Sequence, residues 1–258
     1  MMGMKNLLRA SELLAFASVF LLCSCESQIA GNRSNTRFSQ APADRPGLGT
    51  KWGETRQSQV GTTGFERAGS APIALATIYY NDEAGIRAMA GAVAWQRGWS
   101  VLPSPTENLI SIGLKDPIGF FYPGLVAGDR WFVVGKEGRR YSIAIRNKTD
   151  YRLEIVLSVD GLDVLDGGKA SLRKRGYVLA PHGQLEVEAF RQSTEAVAAF
   201  RFGTVRESYT AEKYRSTGNV GVIGAAIFSD CGTNLPAYPE VQRRLNANPF
   251  PARFATPP

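Results

Sequence analysis

"YRLEIVLSVD", Tyr151–Asp160, places Leu153, Ile155, Leu157 and Val159 at every second position, against Arg152 and Glu154 between them. Successive side chains of a strand point to opposite faces, so this alternation reads as a strand with one buried and one polar face. Just upstream, "RWFVV" (130–134) and "RYSIAIRN" (140–147) are short strands, and "NKTD" (147–150) is a turn. In the second of these strands Tyr141, Ile143 and Ile145 alternate with polar or small residues. Downstream, "RGYVLA" (175–180), the turn "PHG" (181–183), "QLEVEAF" (184–190), "EAVAAFRFG" (195–203) and the apolar "NVGVIGAAIF" (219–228) continue the pattern. Short strands joined by tight turns indicate antiparallel pairing.

Further out, "PIALATIYY" (72–80) is apolar on both faces and reads as a buried strand. Asn81 and Asp82 offer a helix N-cap. Ile86, Met89, Ala90, Val93 and Ala94 then form one apolar stripe, with Gly98 as a stop. The expected fold is all-β: an antiparallel β-sandwich with one short covering helix, spanning residues 69–230. Residues 25–68, rich in Ser, Gly, Gln, Thr, Asn and Pro, read as a partly disordered tether, with Trp52 and Phe65 expected to dock on the domain. Residues 231–258 form a polar, Pro-rich tail.

The front of the chain carries a different signal. Lys5 and Arg9 precede an apolar run, Leu13–Leu22, broken only by Ser18. A spanning helix needs about 20 apolar residues, so residues 1–24 read as a secretory signal peptide. Leu22-Cys23-Ser24-Cys25 resembles the bacterial lipobox, an aliphatic residue and two small residues before a cysteine. The resemblance implies diacylglycerol on the Cys25 thiol and cleavage before it, with Leu22, Cys23 and Ser24 in the flanking roles. Leu22 is too bulky for the last position before a lipidated Cys23. The sorting rule known for such proteins, applied to Glu26, implies the outer membrane, facing the periplasm or the surface, over the inner.

The net charge of +7 suits an anionic partner, such as envelope polymers or lipid head groups. The longest basic cluster is Arg173-Lys174-Arg175, with no interleaved aromatics, which argues against nucleic acid. Once Cys25 is acylated and residues 1–24 are removed, Cys231 is the remaining thiol, so no internal disulfide forms.

Few constellations carry chemistry. Asp160, Asp163 and Asp166, in "DGLDVLDGG", are the calcium candidate, although their spacing differs from an EF-hand loop; the competing reading is two Asp-Gly turns. "GGKAS" (167–171) lacks the hydroxyl and upstream glycine of a phosphate loop. His182 is the single histidine, which excludes multi-histidine zinc sites. No cofactor is called for. "DPIGFFYPG" (116–124) is the candidate recognition loop, through Phe120, Phe121 and Tyr122. "VDGLDVLDGG", "RGYVLAPHG", "EAVAAFRF" and "NVGVIGAAIF", in this order, resemble a group of uncharacterised exported bacterial proteins. That resemblance implies a β domain and an envelope location, and it brings no activity. The expected function is therefore a lipid-anchored envelope protein with a binding or structural module, whose partners are the membrane and anionic polymers or other envelope proteins. Its rivals are an enzyme acting on polysaccharide through Asp or Glu, and a subunit of an envelope assembly.

Overall fold

The computed structural model describes residues 45–58, 61–91, 96–99, 106–128 and 130–233. In chain order the elements are β1 (Leu48–Gln57), β2 (Ala74–Asn81), α1 (Glu83–Ala90), β3 (Gln96–Arg97), α2 (Thr106–Leu109), β4 (Ile110–Lys115), β5 (Pro123–Ala127), β6 (Arg130–Val134) and β7 (Ser142–Asn147). There follow β8 (Leu153–Val159), β9 (Leu162–Asp163), β10 (Tyr177–Leu179), β11 (Gln184–Val187), β12 (Ala189–Arg191), β13 (Ala196–Thr204), α3 (Tyr209–Tyr214) and β14 (Val222–Ser229).

The protein is mostly β. An eight-stranded sheet runs β10-β8-β14-β2-β6-β5-β3, with β9 paired to β8. Two three-stranded sheets, β1-β13-β12 and β11-β7-β4, oppose it. Backbone bonds join these two into one layer: Tyr141 N–H donates to Phe200 O, Phe202 N–H to Arg139 O and Phe200 N–H to Glu188 O. The core lies between the layers. Leu153, Ile155, Leu157 and Val159 of β8 meet Ile112 and Leu114 of β4, Ile143 and Ile145 of β7, and Phe200 and Phe202 of β13 in one buried cluster. The alternation that identified β8 is thus the inner face of the large sheet.

Several details differ from expectation. β2 and β6 pair in parallel, because the chain crosses over between them before returning in the same direction. There are three short helices among the described residues, and α3, six residues long, is too short to show a period. α1 is capped by Asp82, whose carboxylate accepts the Gly85 N–H, and it stops at Gly91 rather than Gly98. Gly91 has a φ of 75°, which a residue with a Cβ rarely adopts. Of the expected stripe, Ile86 is buried against Leu125 and Phe132, Met89 is exposed, and Val93 and Ala94 lie outside the described residues. The domain also begins before residue 69: β1 pairs with β13 from Leu48↔Thr204 to Gln57↔Ala196. Trp52 stacks on Phe190 and Phe65 packs beside Val156, Ala226 and Phe228.

A buried polar network fastens β1. Asp160 Oδ2 accepts the Thr50 N–H at 2.8 Å, while Oδ1 accepts the Gly221 N–H at 2.9 Å and the Tyr80 hydroxyl at 2.6 Å. Since Tyr80 donates to Asp160, its oxygen receives the Thr50 hydroxyl at 2.7 Å. Thr50 in turn receives the Tyr141 hydroxyl at 2.5 Å. Burial raises the Asp160 carboxyl to about 6, against the pull of its donors, and raises both tyrosines well above their usual range.

The linkage follows from that sign. Between roughly pH 4 and 6 the folded state holds a proton on Asp160 that the unfolded chain has lost, so stability falls as pH rises through this window, by on the order of 3 kcal/mol. Asp163, also raised by burial, acts in the same direction. Asp160→Asn isolates the first contribution. Denaturant melts at pH 4, 5, 6 and 7 should show a shallower decline in the variant than in the wild type; parallel curves would assign the pH dependence elsewhere.

Candidate functional site

The lipobox residues Leu22, Cys23, Ser24 and Cys25 lie outside the described residues. The calcium candidate is separated by the fold. Asp160 faces the network above. Asp163 Oδ1 accepts the backbone N–H groups of Leu165 and Asp166. Asp166 pairs with Lys174 at 2.7 Å. Among the described residues no group of three or more His, Cys, Asp or Glu side chains is arranged to hold a metal ion. Both Asp-Gly pairs form turns instead, with φ of 54° at Asp160, 79° at Gly161 and 62° at Gly167. His182 also occupies a turn, with φ of 54°, and its Nε2 meets the exposed Asp150 carboxylate at 2.8 Å.

The recognition-loop candidate divides. It connects β4 to β5 as a bonded hairpin: Tyr122 N–H donates to Leu114 O, Asp116 N–H to Phe120 O, and Asp116 Oδ1 accepts the N–H groups of Ile118 and Phe120. An Asp at this position closes its own turn. The tip therefore holds Ile118 and Phe120, 78% and 66% exposed, on an ordered backbone. Phe121 turns inward onto Trp99, and Tyr122 packs edge-on to Phe202 while its hydroxyl donates to Arg140 O. Of the three aromatics named from sequence, only Phe120 is presented to solvent, and Ile118 joins it.

Two grooves flank this tip. One, of about 700 Å³, runs between Pro117, Ile118, Tyr122, Lys136 and Arg139; the other, of about 370 Å³, lies between Asp116, Arg140, Glu186 and Glu188. The carboxylates of the second are engaged. Glu188 pairs with Arg56, and Glu186 accepts from Ser142 and pairs with Lys115. At the same surface Glu54 lies between Arg201 and Arg140, and the Arg201 hydrogen bond holds its carboxyl down at about 2.

A third feature was visible in sequence only as a run of charge. The segment Gly168–Gly176 leaves the β9 turn and returns to β10 across the outer face of the large sheet. It is fixed from beneath by a buried ion pair. Arg152 and Glu154 read as the polar face of this strand, yet Glu154 is 1% exposed. Residues 65–67 cover it: Arg67 Nε meets Glu154 Oε2 at 2.5 Å, and the guanidinium stacks 3.6 Å above the Phe228 ring. The rest of that guanidinium donates to Leu172 O at 2.6 Å and to Lys174 O. Glu154 Oε1 accepts the Gly176 N–H at 2.8 Å. Gly176 is required by closeness, since a Cβ there would lie 2.2 Å from Ile155 O. With its carbonyls held inward, the segment turns Lys169, Leu172, Arg173 and Arg175 outward.

No protein-family model, curated protein or solved structure matches the chain. Arg67→Ala leaves the Glu154 carboxylate buried without its cation, a change that costs about 3–5 kcal/mol; urea melts should show that loss, and a change under about 1 kcal/mol would mean the pair is dispensable. Added calcium, followed by chelation, should leave the unfolding midpoint unmoved. A midpoint that rises and saturates with calcium would show that Asp160, Asp163 and Asp166 can converge.

Proposed function

We propose that the chain is a lipid-anchored protein of the bacterial cell envelope, held by an acylated Cys25, and that its β domain binds a partner rather than catalysing a reaction. The observation that carries this reading is Leu22-Cys23-Ser24-Cys25 directly after the apolar run Leu13–Leu22. Two acyl chains hold a protein firmly where one holds it marginally. Glu26 favours the outer membrane over the inner. Among the described residues no helix is long and apolar enough to cross a membrane. The described fold begins at Arg45, so roughly 20 residues separate it from Cys25, a reach of at most about 70 Å.

Binding is favoured over polysaccharide hydrolysis by the state of the grooves. Glycoside hydrolysis needs two carboxyl groups facing a shared substrate. In the smaller groove Glu186 and Glu188 are each taken by a cation and Asp116 closes its own hairpin; in the larger, Asp82 caps α1 and Glu83 pairs with Arg87, which leaves Glu137 as the one described lining acid with none of these roles. A second reading, a subunit of an envelope assembly, is favoured by Ile118 and Phe120, since exposed apolar groups on an ordered hairpin suit a protein contact.

The anchor is tested by growing cells with labelled palmitate and fractionating them. Wild-type protein should carry label and sediment with the envelope, and Cys25→Ala should lose both. Label retained by Cys25→Ala, or an intact unmodified amino terminus on protein from the cell interior, would overturn the reading.

A further inference from the structure

The outward side chains of Gly168–Gly176 are basic or neutral, and a single acid, Glu66, lines a groove with Arg173 and Arg175. Lys169 and Arg173 are exposed and have no carboxylate partner among the described residues. The Arg175 side chain is 70% exposed and stands 4.0 Å from Glu154, which Arg67 already neutralises. Lys174 takes the neighbouring acid, Asp166, and Lys213 joins the same cluster by donating to Gly167 O at 3.2 Å. Leu172, 44% exposed, sits in the middle of these cations.

The cations stand on a prepared backbone. Arg67 binds two carbonyls of the segment, Lys174 N–H donates to Ser171 O, and Ala170 N–H donates to Gly161 O. Little ordering remains to be done when a ligand arrives. The place where the described chain begins is linked to it through two turns. Arg45 donates to Thr217 O at 2.6 Å and to Val220 O at 3.1 Å. Asn219, between them, packs on Gly161, where an added Cβ would meet its amide nitrogen at 2.7 Å. Gly161 is the residue that receives the Ala170 N–H. The root of the segment leading back to Cys25 and the basic loop are thus joined through two contacting turns, 217–220 and 160–161.

We infer that Lys169–Arg175 rests on the headgroup phosphates of an anionic phospholipid bilayer, with Leu172 seated among the headgroups. This deepens the envelope reading above and rests on it for the surface within reach. Each Lys or Arg near an anionic leaflet adds to the attraction, and an apolar residue among the cations adds burial that a soluble polyanion does not offer. The segment, "GKASLRKRG", holds no aromatic on which bases could stack.

The test uses the full chain with Cys23, Cys25 and Cys231 replaced by serine, and Ala170→Cys carrying a polarity-sensitive fluorophore. Because Cys25 is absent, the result is independent of acylation, which the palmitate experiment reads separately. Vesicles of phosphatidylcholine mixed with phosphatidylglycerol should shift the emission to the blue. Vesicles of phosphatidylcholine alone should not, and high salt should abolish the shift. Adding Lys169→Gln and Arg173→Gln, at exposed positions, should remove the shift while leaving the melting curve unchanged. An equal shift on both vesicle types, no shift on either, or a shift that survives the two glutamines would overturn the inference.

Discussion

The Asp160 carboxylate is the constraint on which the architecture depends. It is wholly buried, and the groups around it come from four separate places in the chain: Thr50 of β1, Tyr80 of β2, the turn at Gly221 and, through Thr50, Tyr141 ahead of β7. A buried carboxylate is tolerated only when its lone pairs are filled. Thr50 therefore cannot leave without stranding both its own N–H and the acid. β1 is an edge strand of the smaller layer and precedes a segment of little regular structure. The network gives it a fixed register against the large sheet, which pairing with β13 alone would leave open to slippage.

A buried ion pair works on the opposite face of the large sheet. Arg67 and Glu154 are both withdrawn from water, and such pairs contribute little net stability against an apolar replacement. Their value here is geometric. One guanidinium neutralises Glu154, covers Phe228 and holds the carbonyls of Leu172 and Lys174. A loop rich in Lys and Arg would otherwise repel itself into many conformations. Held from below, it becomes a surface with defined positions, which links the packing of the large sheet to the proposed contact with a bilayer.

The hairpin tip offers a contrast in how function is displayed. Ile118 and Phe120 are apolar groups in water, stabilised by no packing of their own, and Asp116 keeps them there through two backbone bonds. Phe121 and Tyr122, adjacent in sequence and similar in chemistry, are consumed by packing. Chemical type alone did not separate them, and neither did alternation, which places Phe120 and Tyr122 on one face; tertiary partners did, Trp99 taking Phe121, and Phe202 with the Arg140 carbonyl taking Tyr122.

By itself the sequence determined the class of fold, because strand alternation is local: Leu153, Ile155, Leu157 and Val159 declare an inner face without reference to any partner. It determined the turns at Asp160-Gly161 and Asp166-Gly167 for the same reason, since Asp and Gly tolerate a positive φ. The parallel pairing of β2 with β6, the inclusion of β1 and the burial of Glu154 were decided only in three dimensions. The cover for Glu154 arrives from Arg67, 87 positions away, so an outer face that reads as polar becomes an interior one. A still longer separation hid the basic loop: "SLRKR" shows its charge in the sequence, but which carbonyls turn inward, and hence which cations face water, depends on a guanidinium contributed by another part of the chain.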